Sequence, residues 1–446
     1  MKFTFPEGLY TDVRVEHFFS TRITYTFREL DECKEQQYSA AFIRLYDGER
    51  WYYACTSDRG AIQSEIDSLS KLASKNDKLH ETPVFKNFSS ETGKHMAFTG
   101  DEVSGVPLDE KIALLQSIMP LVERGEYIKL WRLTYLDEYK VKEFYNSKGA
   151  DLSWDFQRAG FSVGFQMADG DRRFSEAFPM GKTHFDELTG FEDKLTKLVD
   201  ECSRYLLESE AVEPGVYPVV LSPIVAGVFA HECFGHKSES DFMIGDEETK
   251  KEWTLGKNVG PEDLTIIDSG VEPGMGYTPF DDEGNAATRT YLIKNGVLTG
   301  RLHSAESAAD LEESVTGNAR AMNFEYEPIV RMTTTFIGNG GKTMDQLISE
   351  TENGIYVKNI SHGYGMSTFT LAPTLAYYIK DGKIGKPVRV SVVSGNVFEA
   401  LSNVDGIADD SEMAAFVTGG CGKMDQYPLS VSFGGPHIRI RGMQVQ

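Results

Sequence analysis

No apolar run in this 446-residue chain is long enough to span a bilayer, and the opening Met1-Lys2-Phe3-Thr4-Phe5-Pro6-Glu7 lacks the apolar core of a secretory signal. No membrane partner is expected. Cysteine is sparse: Cys33, Cys55, Cys202, Cys233 and Cys421 are odd in number and widely scattered. That argues against a disulfide framework and for a reducing, cytoplasmic setting. Positive charge is also short, with 45 lysines and arginines against 68 aspartates and glutamates, a formal net charge of −23. Such a surface repels phosphate backbones, and no basic stripe with interleaved aromatics interrupts it, so nucleic acid is not expected as a partner.

What is present describes an ordinary globular protein, 40% hydrophobic and 25% charged, with a length that suggests two or three domains. The first third reads as α+β. Residues 39–46 and 50–56 predict a hairpin about Asp47-Gly48. Ile62, Ile66, Leu69 and Ala73 mark one face of a helix, and a second helix is predicted from Leu108 to about Met119, where Pro120 would disturb it. Residues 127–178 read as long antiparallel strands broken at Ser147-Lys148-Gly149 and at 168–171. A helix from Phe185 to about Glu210 follows. The boundary falls near Glu213-Pro214-Gly215, giving an N-terminal α+β domain over 1–210 and a strand-rich C-terminal domain over 211–446. In the latter, Asn295-Gly296 and Asp381-Gly382 predict tight hairpin turns, and residues 237–290, rich in Gly, Asp and Glu, predict long loops.

The most telling run is Ala230-His231-Glu232-Cys233-Phe234-Gly235-His236. Its approach, Ser222-Pro223-Ile224-Val225-Ala226-Gly227-Val228-Phe229, starts as a helix should, with an N-cap serine and proline at the first position, and carries no charge. Two imidazoles and a carboxylate on such an apolar helix are costly unless compensated, commonly by a metal ion. The order predicts two ligands and a general base. The spacing is awkward, however. Residues five apart stand about 140° apart round a regular helix, so the helix must bulge or end near Gly235. The residues leave the third ligand open: Glu239 and Asp241 are near enough to bind an ion or to hold the imidazoles. Cys233 points to the other side. Cys421, flanked by Gly420 and Gly422 and close to Lys423, is the remote candidate.

His231-Glu232-Cys233-Phe234-Gly235-His236-Lys237-Ser238-Glu239-Ser240-Asp241 resembles the signature of the TldD/PmbA family of metalloproteases, as does Gly420-Cys421-Gly422-Lys423. Between them, Phe280-Asp281-Asp282-Glu283-Gly284, Thr316-Gly317-Asn318-Ala319-Arg320, Pro328-Ile329-Val330-Arg331-Met332-Thr333-Thr334-Thr335 and Val392-Val393-Ser394-Gly395-Asn396 are similar to family motifs and stand in the family's order. The likeness covers essentially all of 211–441; the N-terminal half is similar in size and element order. It implies a catalytic, TldD-like member in which His231, His236 and Cys421 hold zinc and Glu232 is the general base. It further implies peptide substrates, unfolded or small, and a homodimer or a heterodimer with a family paralogue. The alternative is a non-catalytic metal-binding regulatory or scaffold subunit, against which the intact His-Glu-His-Cys set argues. His303 and His362 are candidates for stabilising an oxyanion. Cys421 with His437 would make a cysteine hydrolase, although His437 reads better as a strand residue. Gly338-Asn339-Gly340-Gly341-Lys342-Thr343 reads as a turn capping a helix. The strand edges within 355–380, with Gly363 and Gly365 allowing close approach, are candidates for pairing with a substrate backbone.

Overall fold

Alternating side chains over unusually long stretches build the first half. The computed structural model describes residues 2–446, and its strands Tyr10–Thr26, Glu29–Tyr46, Ile128–Asn146 and Asp151–Asp169 run 17 to 19 residues each. They form a seven-stranded sheet in the order Trp51–Thr56, Glu29–Tyr46, Tyr10–Thr26, Ile128–Asn146, Asp151–Asp169. The last of these pairs with both Arg172–Lys182 and Thr92–His95. Two amphipathic helices, Leu108–Glu123 and Glu192–Glu208, bury Leu115, Ile118, Val122, Leu195 and Val199 with Leu133, Tyr135 and Phe161 of the sheet. The helix Ile62–Ser70 seats Ile62, Ile66 and Leu69 in a separate cluster with Val13, Val15 and Ile43.

Two boundaries differ from expectation. The helix predicted to stop near Met119 continues through Pro120 to Glu123. An interior proline costs about 3 kcal/mol, whereas burying a large apolar side chain contributes about 1.5–3 kcal/mol; Ile118, Met119 and Val122 are all buried. The helix predicted from Phe185 begins only at Glu192, because Gly190 takes φ +70 and breaks the run. Leu188 and Phe191 reach the core from the irregular segment before it.

The second half is built from shorter strands. Gly215–Leu221 pairs on one side with Asn353–Gly365 and on the other with Ile438–Val445. Val393–Asn396 links the latter to Thr368–Lys380, which pairs back to Asn353–Gly365 and closes the circuit. A six-stranded sheet lies across from it, ordered Val297–Leu298, Arg289–Lys294, Ile266–Ser269, Thr334–Ile337, Ser432–Gly435, Glu412–Ala414. The predicted turns are there: Asn295, Gly296, Asp381 and Gly382 all take positive φ, as type I′ hairpins require.

The stretch 237–290 is largely loop, as its composition predicts, but it is not open. It contains the helix Glu247–Glu252 and the strand Ile266–Ser269, and Asp281, Asp282 and Glu283 are buried. Asp282 pairs with Lys142 at 2.5 Å and Glu283 with Arg44 at 3.0 Å, so this acidic loop docks the second half onto the first sheet. Among the described residues no helix is long and apolar enough to cross a membrane.

Candidate metal centre

The apolar helix Pro223–Phe229 leaves the strand Gly215–Leu221 and runs between the closed sheet and the six-stranded sheet. Phe229 meets Phe369 edge-on at 5.3 Å, and a Cβ on Gly227 would stand 2.5 Å from the backbone of Gly434. Ser222 holds the N-cap position, but its hydroxyl donates to the carbonyl of Lys358 rather than capping the helix.

From Ala230 to Gly235 the backbone widens into a π-helical turn, followed by a 3-10 turn over His236–Ser238. The His236 N–H donates to the His231 carbonyl, an i→i+5 bond joining the two histidines. This is the distortion that the five-residue spacing demands. It brings the imidazole centroids to 5.2 Å with their planes at 80°. Gly235 keeps ordinary right-handed dihedrals, φ −58 and ψ −51, so its backbone freedom is not used. It is small because a Cβ would collide with Met332 Sδ.

Cys421 arrives from a separate hairpin, Cys421–Lys423 with Gln426–Leu429. Buried Arg331 secures this hairpin by donating to the Cys421 carbonyl at 2.7 Å. Cys421 Sγ lies 3.4 Å from His236 Nε2, and one donor atom from each of His231, His236 and Cys421 lies within 4.8 Å of the others. Burial opposes charge on this group, but the partners prevail. The Cys421 thiol is held well below its ordinary pKa by His231 and His236, and both imidazoles are raised, His231 chiefly by Cys421 and His236 chiefly by Glu239.

Glu239 and Asp241 behave differently. Burial works against ionisation of Glu239, yet Lys423 and then His236 pull its pKa down to about 2. It accepts from His236 Nδ1 at 3.1 Å, which aims Nε2 at Cys421. Lys423 does not act on the thiolate, as its place in the sequence suggests. Its ammonium is committed to Asp241 at 2.6 Å, to Glu239 at 3.2 Å and to the Val330 carbonyl at 2.8 Å. Cys233 points into the core, where burial raises its thiol pKa.

Glu232 stands beside the cluster, with an oxygen 3.9 Å from His236 Nε2. Burial lifts its carboxyl above the ordinary glutamate range, against the opposing pull of the two histidines. Glu232, His231 and Cys421 line one cavity of about 30 Å³, closed by Val228, Phe416 and Phe433. On its other side Glu232 faces a groove of about 600 Å³. Asn359, Ile360, Ser361, His362 and Gly363 form part of the groove wall. The glycines at 363 and 365 do allow close approach, but to the helix itself: a Cβ on Gly363 would stand 3.0 Å from Glu232 Cγ, and one on Gly365 3.1 Å from the Glu232 carbonyl.

The remaining histidines separate cleanly. His362 is exposed on the groove wall. His303 is buried away from it, bound to Glu313 at 2.9 Å and Ser240 at 3.0 Å. His437 bonds Asp410 at 2.8 Å and Tyr356 at 3.3 Å, so the pairing with Cys421 needed by a cysteine hydrolase is not formed. Thr343 caps the helix Met344–Ser349 through a capping box, as the preceding turn predicts.

The three converging side chains fit a metal ion. A thiolate and two imidazoles are the donor types zinc prefers, and an S and an N bound to one tetrahedral zinc sit about 3.6 Å apart. The 3.4 Å observed between Cys421 and His236 is close to that. His231 Nδ1 is buried with no hydrogen-bond partner. The adjoining cavity is the volume of about one water molecule.

Known proteins place the chain in context. The sequence model of the PmbA/TldA metallopeptidase C-terminal domain matches residues 214–446. A Methanothermobacter thermautotrophicus metalloprotease is 30% identical over 98% of this chain and 95% of its own length. A Synechocystis metalloprotease is 44% identical, over 52% of this chain and 50% of that protein. A zinc metalloprotease TldD homolog from Saccharolobus solfataricus is 29% identical over 71% of each chain. Among solved structures, TldE from Thermococcus kodakarensis superposes with a TM-score of 0.74 at 15% identity, covering 98% of this chain and 96% of that one, which shows a shared fold. With its C-terminal half matched by the family model and an archaeal relative aligned over nearly its whole length, the chain belongs to the TldD/PmbA family of metallopeptidases.

Proposed function

We propose that this protein is a zinc-dependent metallopeptidase that hydrolyses small or unfolded peptides, with His231, His236 and Cys421 as metal ligands and Glu232 as general base. The observation that carries the reading is the convergence of three zinc-type donors within 4.8 Å beside a carboxylate that opens onto a groove. Residues 211–446 form the catalytic unit and residues 1–210 the α+β unit that frames it. The protein works in the cytoplasm as a homodimer or with a family paralogue.

Zinc, when bound, supplies Lewis acidity that polarises a peptide carbonyl and acidifies water. The protein supplies the rest. Glu232 takes the proton of the attacking water as its oxygen bonds the carbonyl carbon, then delivers it to the departing amine nitrogen. Glu239 holds the His236 tautomer and ring angle through Nδ1. Lys423 in turn anchors Glu239, and Arg331 anchors the Cys421 hairpin.

Glu232→Gln tests the assignment: the variant should keep its zinc and lose peptide cleavage. Cleavage at the parent rate would remove Glu232 as the base. Cys421→Ser should lower bound zinc by metal analysis; unchanged stoichiometry would move the third ligand to Glu239 or Asp241.

A further inference from the structure

The groove that Glu232 faces carries a second carboxylate with no catalytic duty. Glu176 comes from the N-terminal sheet, on the strand Arg172–Lys182, and lines the groove with only 7% of its surface exposed. Its oxygens accept from the Ala177 N–H at 2.9 Å and the Thr374 hydroxyl at 2.8 Å, both neutral donors. The leading charge acting on it is Glu201, of the same sign. Lys358, next in sequence to the groove residue Asn359, is itself held by Glu201 at 2.6 Å.

A buried carboxylate is ordinarily paired with a cation. Here, among the described residues, the groove wall offers Glu176, Glu232 and His362 but no lysine or arginine. The adjoining groove, which shares Tyr427, differs in carrying both signs, with Lys140, Lys142, Arg158 and Arg320 beside Glu138, Asp282 and Glu325 in its wall. No described lysine or arginine of the chain lines the groove to pair with Glu176, which leaves the position open to a cation from outside the chain. Burial holds its pKa up at about 7, a cost that a bound cation would relieve.

We infer that Glu176 is a specificity-determining residue that receives a primary ammonium of the peptide substrate in the groove beside Glu232. The ammonium is either the free N-terminus or a lysine side chain, and both present the same chemistry. This rests on the peptidase reading, but binding and turnover test the two separately.

The experiment uses the full-length zinc-loaded Glu232→Gln protein, so that peptides bind without being consumed. Three short alanine- and serine-based peptide amides are titrated by calorimetry: one with a free N-terminus, one N-acetylated with a single lysine, and one N-acetylated without lysine. At least one ammonium-bearing peptide should bind about 10–100-fold more tightly than the uncharged one, the range for a hydrogen bond to a charged group. Adding Glu176→Gln, which keeps the shape and loses the charge, should abolish that preference; Glu176→Asp should restore part of it. Preference in the first peptide assigns the N-terminus, and preference in the second assigns a lysine. Equal binding of all three, or a preference that survives Glu176→Gln, would overturn the inference. A parent protein that shows the preference but cleaves none of the peptides would instead overturn the peptidase reading.

Discussion

Two buried polar clusters, one in each half, show opposite solutions to the same problem. In the N-terminal half, Lys111 and Asp137 have fully buried side chains 2.7 Å apart. Thr21 takes a further bond from Lys111 at 2.9 Å, while its N–H reaches Asp137 at 2.8 Å and the Tyr135 hydroxyl reaches it at 2.7 Å. Charges cancel and each oxygen has a donor. In the C-terminal half, His231 and Cys421 are buried and His236 nearly so, yet His231 Nδ1 has no partner and the donor atoms turn towards one another. A complete network orders the fold and has nothing left to bind. An incomplete one keeps lone pairs available at the expense of stability.

The largest expected effect lies at the incomplete cluster. Glu232→Gln should reduce peptide cleavage by about 10²–10⁴-fold, the usual contribution of general base catalysis, measured under saturating zinc. At the complete cluster, Lys111→Met should destabilise the protein by about 3–5 kcal/mol in denaturant unfolding, because it strands a buried carboxylate. The double variant Lys111→Met/Asp137→Leu should recover much of that. If Lys111→Met unfolds at the parent midpoint, the contrast between the clusters fails.

Smaller effects sharpen the contrast. Glu239→Gln should weaken zinc affinity by about 10–100-fold in a chelator competition, as loss of an orienting partner does. Gly227→Ala pushes the helix Pro223–Phe229 off Gly434 and should cost about 1–3 kcal/mol. The mildest prediction concerns pH. Glu176 is raised to about 7, from about 4.3 in the unfolded chain, so the folded state binds its proton more tightly. Its contribution to stability is therefore fully present below pH 4.3 and is lost as pH rises to 7. Stability measured across that window should decline less in Glu176→Gln than in the parent.

Much of this could be read along the chain where the cause is local. The turns at Asn295-Gly296 and Asp381-Gly382 are legible because few other residues accept their dihedrals. The distortion of the helix at His231–His236 is legible too, since a spacing of five cannot bring both imidazoles to one point on a regular helix. The long strand Glu29–Tyr46 is not. Its residues 29–37 are largely polar and exposed, and it extends because Tyr10–Thr26 supplies the hydrogen bonds. The duties of Glu239 and Lys423 were equally hidden: from spacing alone, Glu239 is as near an ion as an imidazole, and Lys423 as near a thiolate as a carboxylate.

The sequence by itself determined which residues could do the chemistry, because donor types, helix period and turn dihedrals are properties of neighbours along the chain. The tertiary structure alone decided which of them meet. Cys421 reaches His236 because a distant hairpin is pinned by Arg331, and Glu176 enters the same groove because the first sheet packs against the closed circuit of the second half. Those encounters depend on long-range strand pairing and on buried charges finding partners across the fold, and neither leaves a local trace in the order of the residues.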